Sequence, residues 1–533
     1  MQIEKIDIAQ VTQFSTRDRS YYLNDSAYAP YIEYGFDYDK LDLAITAKQS
    51  HSIDRALLVE VLKDQYHKVT SSEETVDHIN SLSNENTFTV VTAHQPSLLT
   101  GPLYYVFKIL SAIKVSARLK QSHPDKNFVP VFIIGGEDHD YEEINHLHLY
   151  GKTITWQNEG IGSVSQFSLE GIEVVLNETL ELLGERSKAK TILTELKELL
   201  PTLSNYGEFS FRLTHRLFDH LGLVILRMGD AKLKKAFSPI ITKEIVERPS
   251  QALVVATQTK IEKELGFSGQ AYAREINFFY INQAGRNRIE YVDGTYKIID
   301  TKLEFSEAEI TNEIKQYPER FSPNVIMRPI YQEFILPNLA YIGGGGELAY
   351  WIERKSQFAH FNIPFPMLIR RQSGMIMTAS HQKNIDKLGL NISQLFSSEN
   401  ELVNTLLNIS DQPDYKLTAY KKEIETLFDK LAEQISSIDV TLARSASAEK
   451  TKAHKSIDYL ESKVKKALKQ KEDVNLNRMR KLKTDLFPKG LQERHDNIFQ
   501  YISTYGEELI NQLLPHCDPF DKSFKVFKPT LPS

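Results

Sequence analysis

The sequence predicts an α/β protein: a doubly wound parallel sheet with inserted connecting segments, followed by a C-terminal antiparallel coiled coil. Short apolar runs alternate with helical stretches, which is the pattern of strands and crossover helices. Polar clusters directly follow several of these runs, where open α/β sheets bind their ligands. From about residue 415 to 486 glycine is absent, and apolar residues recur at spacings of three and four, as in a coiled coil.

Short apolar runs are the candidates for the strands of the sheet. Residues 128–134 form a continuous apolar run, as in strands buried on both faces of a parallel sheet. Residues 88–92 are rich in β-branched side chains and precede a helix predicted over 103–119 from its apolar spacing. The other candidates are 221–226, 325–327 and 365–369.

Changes in composition divide the chain into four segments. Residues 1–85 are expected to form helices that join the core, and residues 487–533 regain apolar and aromatic side chains and are expected to pack back on it. The sheet core is predicted at 86–390, with small antiparallel elements in insertions at about 150–205 and 251–320, and the coiled-coil domain at 391–486.

The coiled-coil domain is predicted to be an antiparallel helical hairpin. A small-residue break at 445–448 separates a first periodic run from a second one that extends to Leu476. The hairpin is expected to act in dimerisation or as a rigid arm, and a nucleotide-binding role for its basic second arm stays open. The heptad seam of the first arm is Ile424, Leu427, Leu431, Ile435, Ile438 and Leu442.

Composition excludes several classes of protein. The formal net charge of −6 provides no positive field of the kind that attracts nucleic acid. The charged start lacks the apolar core of a secretory signal, and no later stretch has the roughly 18 apolar residues of a membrane span. The single cysteine, Cys517, excludes intramolecular disulfides and is expected to be an inert thiol. We therefore expect a cytoplasmic protein without nucleic-acid or membrane partners.

Two polar clusters follow the first two predicted core strands. His94 and Gln95 come directly after the first strand and could donate hydrogen bonds to phosphate or carboxylate oxygens, or His94 could merely cap the next helix. The cluster at 137–148 crowds five carboxylates with three histidines after the second strand. Its charge predicts compensation by a divalent cation or by a substrate amine, although its spacing matches no specific metal motif.

Two further clusters lie later in the chain. Arg328 is predicted to end a strand, where its guanidinium could clamp a carboxylate or phosphate, or form an internal ion pair with Glu333 or Asp138. The glycine run at 343–346 opens a predicted helix and could present backbone N–H groups to an anion. It lacks the Lys-Ser/Thr of a P-loop and the spacing of the dinucleotide fingerprint.

Together these segments resemble the bacillithiol biosynthesis cysteine-adding enzymes, a family with a Rossmann-like core and a coiled coil. The motifs span most of the chain, and their joint order is specific. Gly345 and Pro96 depart from the proline and alanine that are common at these positions of the family. The matching residues are His94-Gln95, Leu99 to Tyr104, Pro130 to Phe132, Gly136 to Asp140, Glu143 to His146, Arg328-Pro329, Gln332-Glu333, Leu336-Pro337, Gly343-Gly344, Gly346-Glu347, Ala349 to Trp351, Leu486 to Pro488 and Leu491 to Arg494.

The resemblance implies a ligase that forms a carbon–nitrogen bond. It would join the carboxyl of L-cysteine to the amine of glucosaminyl malate, the last step of bacillithiol biosynthesis. Activation of a free carboxylate implies ATP with Mg²⁺, and no tightly bound metal is expected. The implied partners are the small-molecule substrates and, through the coiled coil, a second copy of the chain.

The resemblance also implies roles for individual residues. The family core is similar to nucleotidyltransferases and class I tRNA synthetases, whose first strand delivers a His to the phosphates, and this role carries over to His94. Arg328 would bind malate or phosphate. The residues expected to be catalytic are His94, Gln95, Asp138, His139 and Asp140. Those expected to bind substrate are Glu137, Asn145, His146, Arg328, Gln332, Glu333, Gly343, Gly344, Gly346, Glu347 and Tyr350.

Two other interpretations remain open at this point. The first is another nucleotidyltransferase-like enzyme that activates a carboxyl group. The second is a non-catalytic coiled-coil interaction protein, which the polar clusters at the strand ends disfavour.

Overall fold

The structure is a computed structural model that describes residues 1–23, 26–35, 38–138, 140–283, 285–409, 417–471 and 473–531. It divides into two compact units: the larger comprises Met1–Met377 with Pro488–Ser533, and the helical unit comprises Thr378–Phe487. Within the described ranges, no helix combines the length and the apolar character needed to span a membrane.

The strands and α-helices follow one another along the whole chain. The strands are β1 (Gln2–Asp7), β2 (Thr87–His94), β3 (Asn127–Ile134), β4 (His146–Leu149), β5 (Lys152–Thr155), β6 (Val224–Arg227), β7 (Phe278–Asn282), β8 (Gly285–Val292), β9 (Thr295–Ile298), β10 (Glu304–Phe305), β11 (Phe321–Pro323), β12 (Asn338–Gly343), β13 (Met367–Arg370), β14 (Gly374–Ile376) and β15 (Ser523–Lys528). The helices are α1 (Thr16–Tyr22), α2 (Leu41–Gln49), α3 (Arg55–Tyr66), α4 (Glu73–Ser81), α5 (Tyr104–Ser122), α6 (Tyr141–Ile144), α7 (Ile172–Leu183), α8 (Lys190–Leu199), α9 (Tyr206–Phe218), α10 (Ala231–Glu247), α11 (Pro249–Leu265), α12 (Glu307–Gln316), α13 (Arg328–Ile335), α14 (Gly345–Trp351), α15 (Lys355–His360), α16 (Ala379–Leu388), α17 (Glu399–Ile409), α18 (Thr418–Ser436), α19 (Val440–Lys471), α20 (Asp473–Leu486), α21 (Phe499–Tyr505) and α22 (Glu508–Leu513).

A five-stranded parallel sheet in the order β13-β12-β2-β3-β6 forms the centre of the larger unit. The chain proceeds outward from β2 through β3 to β6, and later occupies the other side with β12 and β13. The direction of winding therefore reverses between β2 and β12, which makes this gap the topological switch point. The predicted α/β fold with a doubly wound parallel sheet is confirmed.

Strand β2 is central because both of its edges and both of its faces are covered. Its residues from Thr87 to Ala93 are buried, and Val90 and Val91 are completely inaccessible. Helix α5 follows β2 and buries Val106 and Leu110 in the same core. Because burial of such a side chain contributes about 1.5–3 kcal/mol, this strand–helix pair anchors the residues at its carboxyl end.

Besides the two-stranded β4–β5 sheet, two further sheets belong to the larger unit. An antiparallel sheet in the order β10-β9-β8-β7-β11 places Arg286 and Ser322 next to each other. In the other sheet, β15 pairs with β1 antiparallel and with β14 parallel, so that the first and last strands of the chain lie side by side. The sequence pattern did not indicate β1.

The strand predicted at 325–327 is wrong. These residues form a turn before α13, because the Asn324 side chain accepts hydrogen bonds from the N–H groups of Ile326 at 2.8 Å and Met327 at 3.3 Å. Arg328 therefore begins a helix and does not end a strand. The neighbouring strands are β11, which ends at Pro323, and β12, which follows α13.

The helical unit contains the predicted antiparallel hairpin, formed by α18 and α19. Lys421 near the start of α18 pairs with Asp458 at 2.7 Å, and Asp429 pairs with Lys450 at 2.7 Å, so the two helices run in opposite directions. The break predicted at 445–448 is wrong, because these residues lie inside α19. Serine and alanine are compatible with a helix, and the chain turns at 437–439 instead.

Candidate active site

A cleft of about 800 Å³ lies at the carboxyl ends of β2, β3 and β12. This is the switch point of the parallel sheet, where ligands bind in open α/β folds. Of the side chains and glycines singled out from the sequence, those that line the cleft are His94, Gln95, Glu137, Asp138, Arg328, Gly344, Gly346, Glu347 and Tyr350.

His94 ends β2 and is held from both ring nitrogens. Its Nε2 lies 3.1 Å from the Tyr104 hydroxyl, and its Nδ1 lies 3.0 Å from the Gln95 carbonyl oxygen. Burial, helped by the nearby Lys108 ammonium, lowers the pKa of His94 to about 4. The imidazole is therefore neutral at physiological pH, and its single N–H, on Nδ1, donates to the Gln95 carbonyl while Nε2 accepts from the Tyr104 hydroxyl.

Two carboxylates of the acidic cluster after β3 are compensated by side chains of the protein itself. Glu137 lies 2.7 Å from the ammonium of Lys234 in α10, whose side chain is fully buried. Asp138 lies 3.3 Å from the guanidinium of Arg286 in β8, and its other oxygen accepts a hydrogen bond from the Gln95 amide at 3.1 Å. A bound cation or substrate amine is thus not needed to balance these two carboxylates.

Among the other residues of this cluster, some line the cleft and others lie away from it. Glu143 lines the cleft, and desolvation together with the nearby Asp140 and Asp138 raises its pKa above the usual range. Asp140 caps the short helix α6 by accepting a hydrogen bond from the Glu143 N–H at 3.3 Å. Asn145 and His146 contact each other at 3.1 Å beside the β4–β5 hairpin and do not line the cleft. His139 lies outside the described residues.

Arg328 is positioned by two neutral groups. Its guanidinium donates to the Gln332 side-chain oxygen at 3.1 Å and to the Tyr350 hydroxyl at 2.9 Å. Gln332 is buried behind Arg328, and Glu333 accepts hydrogen bonds from Lys48 and Asn338 away from the cleft. The two candidate ion pairs of Arg328 with Glu333 and Asp138 are therefore not formed, and its positive charge faces the cleft.

The glycine run opens α14, as predicted, but part of its hydrogen-bonding capacity is already used. The Gly344 N–H donates to the Glu347 carboxylate at 2.9 Å, and Lys108 contacts the same carboxylate at 2.8 Å. Although burial opposes ionisation, Lys108 and these hydrogen bonds lower the pKa of Glu347 to about 2. Gly343 ends β12 and does not line the cleft.

Gly345 is required by its surroundings. A Cβ atom at this position would lie 2.3 Å from a carboxylate oxygen of Asp18, which belongs to α1. A substitution would push α1 away from the glycine run. The N-terminal segment thus packs directly behind the glycine run that lines the cleft.

Several residues of the site were missed by sequence reasoning. Lys108 carried a weak signal, because it is a charged residue within an apolar stretch of the helix that follows the central strand. Arg286 and Lys234 carried none, since their role depends on remote elements that approach the sheet. Asp18 and Arg371 were also missed, whereas Tyr104, Glu143 and Arg494 belong to the motifs that carry the resemblance but were given no individual role.

Ion pairs within the protein do not neutralise every charged group of the cleft, so both a positive and a negative group remain available to a ligand. Lys108, Lys234 and Arg286 are each paired with a carboxylate. Arg328, with neutral partners, and Glu143, with a raised pKa, are the groups whose charge is least compensated. Across the described ranges, which omit His139, no three His, Cys, Asp or Glu side chains are arranged to hold a metal ion.

A doubly wound parallel sheet with a charged cleft at its switch point defines a Rossmann-like α/β protein, here joined to a helical hairpin. Two family models match the chain: residues 1–372 match "Bacillithiol biosynthesis BshC, N-terminal Rossmann-like domain", and residues 374–529 match "Bacillithiol biosynthesis BshC, C-terminal coiled-coil domain". The chain belongs to the bacillithiol biosynthesis BshC family, and the resemblance inferred from its motifs is confirmed.

Similar proteins share most of the chain. The relative from Christiangramia forsetii is 40% identical over 89% of both chains, that from Flavobacterium johnsoniae is 38% identical over 91% of both, and that from Cytophaga hutchinsonii is 36% identical over 97% of both. Each of these relatives carries the name "Putative cysteine ligase BshC".

Proposed function

We propose that this protein joins the carboxyl group of L-cysteine to the amine of glucosaminyl malate in the last step of bacillithiol biosynthesis, with ATP-dependent activation of the carboxyl group. Family membership and the name of the relatives support the substrates. One observation carries the chemistry: the cleft presents an arginine with neutral partners together with a carboxylate of raised pKa. Amide formation needs both an anion-binding group and a proton acceptor.

Arg328 is the proposed anion-binding group. Gln332 and Tyr350 hold its guanidinium without neutralising it, so its charge is available to the carboxylate of malate or to a phosphate. The second N–H of the Gln95 amide would add a hydrogen bond to the same anion, and His94 would hold Gln95 in place through its contact with the Gln95 carbonyl. Because His94 is neutral, its contribution is orientation and not charge.

Glu143 is the proposed proton acceptor. The amine of the acceptor substrate is an ammonium at neutral pH and must lose a proton before it can attack the activated carbonyl. Desolvation and the neighbouring Asp138 and Asp140 raise the pKa of Glu143, which makes it a better base than an ordinary glutamate. The amine then forms the new C–N bond, and the bond from the carbonyl carbon to the phosphate or nucleotide leaving group breaks.

Magnesium would arrive with the nucleotide. Mg²⁺ bound through phosphates needs only one or two protein carboxylates, and the Asp138 side chain is 41% exposed at the cleft. When bound, Mg²⁺ would neutralise phosphate charge during activation of the carboxyl group. Asp138 is the side chain that would contact it, which leaves Glu143 to act as the proton acceptor.

We also propose that the protein is a cytoplasmic homodimer formed through the helical unit. Large apolar side chains of α18 and α19 are solvent-exposed within this unit, which favours a partner of the same kind. The exposed fractions are 64% for Leu427, 44% for Leu431, 42% for Leu442, 50% for Leu460 and 39% for Val464.

The test is to incubate the full chain with ATP, Mg²⁺, L-cysteine and glucosaminyl malate and to search for bacillithiol by mass spectrometry. Product that requires all four components and is lost in Arg328→Gln supports the proposal. Activation of a different acid, with no bacillithiol formed, would instead favour another carboxyl-activating enzyme. Cellular function that survives His94→Ala and Asp138→Ala but not disruption of the hairpin would indicate a non-catalytic interaction protein.

A further inference from the structure

A five-residue network of charges lies behind one wall of the cleft, and two of its members, Arg371 and Arg494, line the cleft. Arg370 donates to both oxygens of Asp18, at 2.7 and 3.1 Å. Arg371 donates to both oxygens of Glu493, at 2.8 and 3.1 Å. Arg494 adds a single contact to Asp18 at 3.3 Å. With two carboxylates and three guanidinium groups, the network carries a net charge of +1.

The excess positive charge belongs to Arg494. The Arg370 and Arg371 side chains are 3% and 4% exposed and are engaged by two-point ion pairs, so neither can move to a ligand without leaving a buried carboxylate unpaired. The Arg494 side chain is 53% exposed, lines the cleft and contacts a carboxylate that Arg370 already neutralises. Such a half-exposed, one-point ion pair is weak.

We propose that Arg494 forms a second anion subsite in the cleft, separate from Arg328, and that Asp18 is the partner it leaves when a ligand binds. The ligand group is a carboxylate or a phosphate oxyanion, which a guanidinium can contact at two points. Asp18 then keeps its two contacts with Arg370, so the exchange leaves no buried charge unpaired.

The two subsites together select a ligand with two oxyanion groups. Either a dicarboxylate or a polyphosphate has this chemistry, and inorganic pyrophosphate and succinate are the probes that distinguish them. The inference rests on the proposed function only in taking the cleft as an anion-binding site.

The experiment is isothermal titration of the full chain with each probe. Arg494→Gln should weaken binding of one probe about 10-fold, a loss of about 1.4 kcal/mol. Asp18→Asn should tighten it about 3-fold, because it removes the competing carboxylate. A purely structural role of Asp18 predicts the opposite sign. The control is Arg288→Gln, an arginine on β8 whose side chain is 44% exposed and pairs with Glu290 outside the cleft lining.

The second comparison does not depend on the folding of the Asp18 variant. Arg494→Lys keeps the charge but loses the two-point geometry, so it should recover part of the affinity that Arg494→Gln loses. The probe that responds identifies the ligand group: pyrophosphate indicates a phosphate and succinate a carboxylate.

The outcomes separate this inference from the proposed function. If Arg494→Gln binds both probes as Arg288→Gln does while Arg328→Gln binds neither, the second subsite is refuted and the proposed function stands. If the unmodified protein binds neither probe, the second subsite is refuted, and the proposed function is decided separately by whether bacillithiol is formed. If the variants behave as expected but no bacillithiol is formed, only the proposed function fails.

Discussion

The ionised Glu347 carboxylate, held by Lys108, Tyr341 and the Gly344 N–H together, should stabilise the larger unit by about 3 kcal/mol at neutral pH, and Glu347→Gln should remove this contribution. The Glu347 side chain is 24% exposed, and it accepts hydrogen bonds from Lys108, Tyr341 and the Gly344 N–H. Its pKa is lowered from the model-peptide value of 4.5 to about 2. This difference corresponds to about 3 kcal/mol.

The pKa shifts of Lys108 and Glu347 have different main causes. Burial lowers the pKa of Lys108, whereas the pKa of Glu347 is lowered by its partners in spite of burial. Glu347 is the better guide to the strength of the pair, because the Lys108 side chain is only 1% exposed and its pKa reflects chiefly its lost hydration. Removal of the carboxylate also leaves the buried ammonium uncompensated, which costs about 3–5 kcal/mol in comparable pairs.

Urea unfolding followed by tryptophan fluorescence is a suitable assay. Trp156 and Trp351 are the two tryptophans of the chain, and both belong to the larger unit, so their emission reports on this unit and not on the helical unit. Because the folded-state pKa of Glu347 is depressed, its stabilisation is complete above pH 4.5 and is lost as the pH falls toward 2. The difference between the unmodified protein and Glu347→Gln should therefore shrink between pH 5 and about pH 2.

The control is Glu195→Gln, which removes a carboxylate that pairs with Arg216 at 2.6 Å but is 43% exposed. Such a surface pair contributes less than about 1 kcal/mol. The reasoning is refuted if Glu347→Gln loses no more free energy of unfolding than Glu195→Gln, or if its loss is independent of pH.

Three further predictions concern other parts of the chain. Burial raises the pKa of Cys517 to about 12, so its thiol should not react with disulfide reagents at pH 8 until urea unfolds the larger unit; rapid reaction of the folded protein would contradict this. The His94 ring should stay neutral from pH 8 to pH 5 in an NMR titration, and a midpoint near 6.5 would show that Lys108 and burial do not act on it as described. Replacement of the exposed Leu427 and Leu431 by Asp should reduce the light-scattering mass to that of one chain, while a single-chain mass for the unmodified protein would refute the dimer.

The positions of His94 and Glu137 could be predicted from the sequence because each follows a short run of β-branched or apolar residues. Such residues dominate a strand that is buried on both faces, so the first strongly polar side chain after the run marks its end. Both residues line the cleft as a consequence of this simple pattern. The coiled coil could be predicted for a similar reason, since its periodicity extends over many turns.

The charge compensation of the cleft could not be predicted. Lys108 and Glu347 are 239 residues apart, and Arg286 and Asp138 are 148 residues apart, so their pairing depends on how the elements approach one another. The cluster after β3 therefore suggested an external cation, whereas cationic side chains of the protein itself pair with two of its carboxylates. A local sequence pattern shows which residues are charged, but not which residues they pair with in the folded protein.

The strand predicted at 325–327 illustrates a second limit. Three apolar residues in a row are compatible with a strand or a turn. Here the Asn324 side chain stabilises the turn, because it accepts hydrogen bonds from two N–H groups of the following residues. Similarly, the hairpin turns at 437–439 and not at the Ser/Ala-rich 445–448, because these small residues continue a helix without strain.

The pairing of β1 with β15 has a consequence for synthesis of the protein on the ribosome. The larger unit is discontinuous: about 110 residues of the helical unit are made after β14 and before the segment that contains β15. At roughly 5–20 residues per second, translation of this stretch takes about 5–20 s. The helices have mainly local contacts and can form during this time. During this time strand β1 lacks its partner β15, and its hydrogen-bonding edge is unpaired. A pause in translation within the helical unit would therefore leave the nascent larger unit exposed to chaperones and to aggregation.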